Sequence, residues 1–136
     1  MALRREIMLF AVSGVLGLVV DAGIVPFLVR ELGADPYGAR VISFLAAATT
    51  TWAFNRRYTF AGRSSGSRRR ELLRYLIAMA GGFALNYGAY AACVLAWPLV
   101  RQWPAIGVAA GSAAGAVVNF LSSKYWIFRA PRNEAV

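Results

Sequence analysis

The side chains that could do chemistry in this chain are few, and their types suit binding better than bond-making. The 136 residues include no His and a single Cys, Cys93. A histidine base and an imidazole metal site are therefore excluded, and no disulfide can form within the chain. Of the six acids, only Asp21 lies inside an apolar stretch. No nucleophile–base pair or metal-binding carboxylate cluster can be assembled, so no enzyme, metal or cofactor is expected. Asp21 admits two readings. An ionisable residue within a membrane span can be a polar binding point or a proton-titrating group. It can equally hydrogen-bond across helices to Asn86, Asn119 or a Thr of the run Thr49-Thr50-Thr51, and Asn86 and Asn119 can act in the same structural way.

Two basic-aromatic clusters supply the remaining candidates, Asn55-Arg56-Arg57-Tyr58 and Lys124-Tyr125-Trp126. Arg forks and an Asn amide can grip a phosphate at headgroup depth. The same residue types also anchor spans at the membrane interface without binding anything specific.

The elements that position these residues are apolar. The chain is 59% hydrophobic and 15% charged, with a mean hydropathy of +0.52, whereas soluble domains carry about a quarter charged residues. Its net charge of +9 could suggest nucleic acid, but the basic residues flank apolar runs, where anionic lipids would meet them. Nucleic acid is therefore not the expected partner. The pattern predicts an all-α integral membrane protein of one domain, residues 1–136, with spans at about 7–32, 37–54, 72–97 and 103–123 and a loop at about 55–71. Asp21 does not forbid the first span. Between Phe10 and Leu28 lie 11 Leu, Ile, Val or Phe residues, each contributing about −0.3 to −0.6 kcal/mol against about +2.5 to +3.5 for a central Asp. Arg4 and Arg5 before this run resemble a secretory signal, but the run is too long for one and is read as a retained span. The fourth span, rich in Ala and Gly, is the weakest. Its Gly107, Gly111 and Gly115 allow close helix approach, which predicts that protein surrounds it more than lipid does.

Arg4, Arg5, Arg56, Arg57, Arg63, Arg68, Arg69, Arg70, Arg74, Lys124, Arg129 and Arg132 fall on one side of these spans, and Arg30, Arg40 and Arg101 on the other. Positive residues stay inside, so both termini and the middle loop are expected in the cytoplasm. The segment Gly62-Arg63-Ser64-Ser65-Gly66-Ser67 reads as a flexible connector. Phe10, Gly17 and Asp21 match Tyr75, Gly82 and Asn86 at one constant offset, and Asn55-Arg56-Arg57-Tyr58-Thr59-Phe60 matches Ser123-Lys124-Tyr125-Trp126-Ile127-Phe128. The expected architecture is thus two parallel, pseudo-symmetric hairpins related by an axis along the membrane normal.

From Phe10 to Phe128 the sequence resembles the GtrA-like family of small four-helix membrane proteins. The resemblance rests on Phe10-Ala11-Val12-Ser13-Gly14 leading to Asp21, on Ala39-Arg40-Val41-Ile42-Ser43-Phe44, and on Asn55-Arg56-Arg57-Tyr58-Thr59-Phe60. In the second half it rests on Asn119-Phe120-Leu121-Ser122-Ser123-Lys124 and Trp126-Ile127-Phe128. The chain departs from the family at Thr51-Trp52, where members often have Asn-Phe. The resemblance implies a role in cell-surface polysaccharide synthesis at the inner membrane, namely flipping of a polyprenyl-phosphate-linked sugar to the outer leaflet. On that reading the lipid phosphate docks at Arg56, Arg57 and Lys124, and the sugar follows a groove lined by Asp21, Asn86 and Asn119. Expected partners are the sugar lipid, anionic membrane lipids, a glycosyltransferase, and further copies of the chain. Two rivals remain: an adaptor that positions a glycosyltransferase through the basic loop, and a small drug exporter, which the strong charge asymmetry disfavours.

Overall fold

The computed structural model describes residues 2–63 and 66–129; Ser64 and Ser65 of the expected connector and Arg132 of the charge pattern lie outside them. The described residues are mostly helical, without strands, as an all-α membrane protein requires. Helix α1 spans Ala2–Pro26 and runs on into a π-helical turn, Phe27–Glu31. Pro26 lacks the N–H that an α-helical ladder needs at that point, and the backbone changes its hydrogen-bond register directly after it. The chain then reverses. Gly33 takes φ +66°, and the Ala34 N–H donates to the Leu28 carbonyl at 2.9 Å, closing the helix end.

Helix α2 spans Pro36–Phe54. Pro36 sits at its first turn, and the Asp35 carboxylate caps it by accepting from the Gly38 N–H at 2.8 Å. A π-helical turn, Asn55–Thr59, follows. Helix α3 runs Arg68–Ala96 with Ser67 as its N-cap. The short α4, Pro98–Gln102, brings Arg101 back to donate to the carbonyls of Val94 and Leu95, the last turns of α3. Helix α5, Pro104–Ser122, ends in a third π turn, Ser123–Ile127.

Three helical stretches are long and apolar enough to cross a membrane: Ala2–Glu31, Arg68–Ala96 and Pro104–Ile127. The stretch expected to be weakest, the Ala/Gly-rich one, is among them with a hydropathy of 1.6. Helix α2 is not, because Arg40, Ser43 and Thr49–Thr51 dilute its apolar residues. Those polar groups are turned to use inside the protein: Ser43 and Thr51 are buried, and each hydroxyl has a partner.

Helix α1 packs most closely on α2 and α3 on α5, while α2 against α3 joins the pairs. The contacts recur at fixed offsets, 65 residues for α1 to α3 (Phe10 to Tyr75) and 68 for α2 to α5 (Thr51 to Asn119). A Cβ on Gly17 would lie 2.7 Å from Thr51 Cγ2, and one on Gly82 would collide with Asn119. Ala39 and Ser43 are buried in α2, as Gly107 and Gly111 are in α5. Phe60 N donates to Asn55 O at 2.8 Å, and Phe128 N to Ser123 O at 2.7 Å. The equivalent rings of Phe60 and Phe128 stack on one another, 5.2 Å apart and 16° from parallel. With Tyr75, Phe10 and Phe120 around them, they form a core at one end of the bundle.

Candidate functional site

That end, where α1 and α3 begin and α2 and α5 finish, carries most of the cations. It also carries two acids from outside the apolar stretches. Glu6 and Glu71 are 5% and 1% exposed and stand at the 65-residue offset of the repeat. Glu71 Oε1 accepts from Arg56 Nη1 at 2.5 Å and from the Trp52 indole N–H at 3.0 Å. Glu6 accepts from Lys124 Nζ at 2.7 Å and from Arg63 Nη2 at 2.6 Å. Arg56 and Lys124 are themselves repeat equivalents. The pairs are thus reciprocal: each glutamate at the start of one hairpin holds the cation at the end of the other. A buried carboxylate is tolerated only when paired and hydrogen-bonded, so these two ion pairs clamp the hairpins together at the basic end. The Trp at the departure from the family pattern has a physical role here. Its N–H donates to Glu71, whereas the equivalent Phe120 has no donor and Arg63 serves Glu6.

The clamp leaves the expected phosphate ligands in different places. Arg56 and Arg57, with Trp52, Ala61, Gly62 and Arg68, line an open cleft of about 470 Å³. Arg57 and Arg68 are exposed, and Arg56 lies over the Trp52 ring, 5.8 Å from its centroid. Lys124 does not share this cleft; it lies over Phe120 and Tyr125 beside Glu6. At the positions equivalent to Arg57 and Arg68 the other half has Tyr125 and Leu3, so this cleft is not repeated there; Arg4 and Arg5 line a separate open hollow with Met8, Leu9 and Val12. Tyr58 is exposed beside Arg57, and Trp126 is 38% exposed. Asn55 is fully buried, so its amide faces the interior and not the headgroup level. It donates to the Tyr75 hydroxyl at 3.1 Å and accepts from Thr59 at 2.7 Å, and Tyr75 in turn donates to Thr51 at 3.0 Å.

This network exists once. The repeat equivalents of Thr51 and Asn55 are Asn119 and Ser123, and their buried oxygens Asn119 Oδ1 and Ser123 Oγ have no hydrogen-bond partner. The ring equivalent to Tyr75 is Phe10, which has no hydroxyl to offer.

Farther along the bundle Asn86 and Asn119 do come together. With Thr51, Phe44, Phe83 and Ser112 they line an open groove of about 320 Å³ between α2, α3 and α5. Asp21 is not part of it. Its carboxylate accepts from Arg40 Nη1 at 2.7 Å and from the Ser43 hydroxyl, both on α2. The expected structural partners of Asp21 (Asn86, Asn119 or Thr49–Thr51) are thus replaced by residues on the helix that faces it within its own hairpin. Asn86 is the repeat equivalent of Asp21 and packs against Gly111, the equivalent of Ser43. The family model described as GtrA/DPMS, transmembrane domain, matches residues 9–128.

Proposed function

Since this chain belongs to the GtrA/DPMS transmembrane family, which points to the handling of polyprenyl-phosphate sugars or to polysaccharide synthesis, we propose that it moves a polyprenyl-phosphate-linked sugar from the cytoplasmic to the outer leaflet. In this reading four helices, α1, α2, α3 and α5, cross the inner membrane as two parallel hairpins, with both termini and the basic end in the cytoplasm. The charge pattern supports that orientation.

The carrying observation is the placement of polar groups along α2. At the basic end Trp52, Arg56 and Arg57 line a cleft with Arg68, and the neighbouring Thr51 lines the groove of Asn86 and Asn119, so α2 contributes a wall to both. A phosphodiester anion meets exposed guanidinium groups at the cleft. A sugar then finds amide and hydroxyl groups in the groove, while the prenyl tail stays in lipid. Lys124 and Arg56 hold the clamp with Glu6 and Glu71, and the exposed Arg57 and Arg68, beside Arg56 in the cleft, receive the phosphate. No bond is made or broken, so the activity needs neither catalytic residues nor a cofactor. Four helices enclose a headgroup poorly, and further copies of the chain or a glycosyltransferase would complete the passage.

The test is leaflet exchange of a short-chain prenyl phosphate glucose in proteoliposomes. Exchange above that of empty liposomes is expected, with a loss of tenfold or more when Arg57 and Arg68 are both changed to Gln. No exchange above empty liposomes would sink the proposal. The adaptor reading draws on Arg69 and Arg70, which are exposed at the start of α3 and outside the cleft. Release of a glycosyltransferase from membranes by their replacement, with exchange unaffected, would assign that second role. Mixed orientation in topology reporters at both termini would favour the exporter reading.

A further inference from the structure

The geometry points to a second lipid-phosphate station at the opposite end of α2, where Arg40, oriented by Asp21, receives the phosphate of the prenyl-linked sugar as it reaches the outer leaflet. This rests on the translocation reading and adds a residue to it. Arg40 and Arg56 lie 16 residues apart on one helix, which is about 24 Å of axial rise. A hydrocarbon core is about 30 Å thick, so the two guanidinium groups fall near its opposite boundaries.

The surroundings of Arg40 suit an amphiphile. Its side chain is 60% exposed, and only Nη1 is engaged by Asp21, which leaves the other guanidinium donors for a phosphate. Asp21 is steadied by Ser43 and so fixes the direction of the guanidinium. Beside it Val41, Phe44, Ala80 and Phe83 line an open hollow of about 300 Å³, whose walls are apolar enough for the first prenyl units. Phe44 and Phe83 also border the groove of Asn86 and Asn119, so hollow and groove share a wall. The sugar-binding amides therefore lie between two arginine stations.

The repeat gives the independent argument. The equivalents of Asp21 and Arg40 in the second hairpin are Asn86 and Val108, which carry no charge. The pair cannot therefore be a requirement of the hairpin fold, because the other hairpin packs without it. An intramembrane charge retained on one side only calls for a role, and it is on the same helix as the basic cleft.

The experiment places the full-length chain in phosphatidylcholine liposomes with a short-chain prenyl phosphate glucose carrying a photoreactive diazirine near its phosphate. Labelled peptides are mapped by mass spectrometry. Wild type should be labelled at Val41–Phe44 and at Trp52–Ala53. Arg40→Gln should lower the first about tenfold and leave the second unchanged, which also verifies folding. Arg40→Lys should keep at least half of the first. Labelling at Val41–Phe44 that survives Arg40→Gln, or that Arg40→Lys loses equally, would overturn the station. Displacement by phosphatidylglycerol as readily as by unlabelled prenyl phosphate would overturn the prenyl assignment. Arg40-dependent labelling without any at Trp52–Ala53 would support the station while defeating the docking step of the proposed function.

Discussion

Exchanging one hydroxyl between the halves of the repeat should have opposite effects on stability. Tyr75→Phe removes the group that accepts from Asn55 at 3.1 Å and donates to Thr51 at 3.0 Å. Tyr75 is 1% exposed and Asn55 0%, so water cannot replace either bond. Each net hydrogen bond contributes about 0.5–1.5 kcal/mol in proteins, and side-chain pairs within membranes average about 0.6. The two together set the loss at about 1–2 kcal/mol. Phe10→Tyr places a hydroxyl at the equivalent position, facing the half that holds the unpartnered Asn119 Oδ1 and Ser123 Oγ. Satisfying one buried acceptor should raise stability by about 0.6–1 kcal/mol. The double variant should return close to wild type. The variants thus differ by about 2 kcal/mol, roughly thirtyfold in the unfolding constant. Reversible unfolding by sodium dodecyl sulfate from mixed micelles, followed by tryptophan fluorescence, reads this directly. If Phe10→Tyr destabilises as much as Tyr75→Phe, the account of the orphaned oxygens by broken repeat symmetry is wrong.

The same assay tests three further expectations. Arg56→Gln and Lys124→Gln should each cost about 1–3 kcal/mol, because each takes a cation from a buried glutamate of the clamp; no loss in either variant would argue against the reciprocal clamp. Ser123→Ala should be neutral or slightly stabilising since its hydroxyl is unpartnered, while Asn55→Ala should cost about 2 kcal/mol through its lost bonds to Tyr75 and Thr59. Gly111→Ala should cost about 1–3 kcal/mol, its Cβ meeting the Asn86 backbone, which cannot swing aside as a side chain can; Gly88→Ala, with nothing within 4 Å, should be nearly silent. An unaffected Gly111→Ala would mean that α3 and α5 approach less closely than described.

The apolar runs and their basic borders were legible from the sequence, because burial in lipid requires long helices and leaves Arg and Lys at their ends. The repeat was also legible, since Phe10, Gly17 and Asp21 and their equivalents Tyr75, Gly82 and Asn86 keep one spacing in both halves. Glu6 and Glu71 obey that same spacing, yet their identities alone did not reveal them as buried. A glutamate beside arginines at a span's edge is normally solvated, and only the approach of the other hairpin's last turn encloses it. Which cations remain available was a tertiary matter too. Lys124 and Arg56 each pair with a buried glutamate, but Arg56 also lines a cleft with the exposed Arg57 and Arg68. The partner of Asp21 was decided in the same way. Its depth in α1 follows from position, but Ser43 and Arg40 reach it because α2 packs on α1 in a register that one-dimensional spacing does not specify. Sequence therefore set the elements and their repetition through hydrophobicity and charge. The fold decided which charges neutralise one another and which stay exposed in an open cleft, because ion pairing depends on distances of a few ångströms between separate helices.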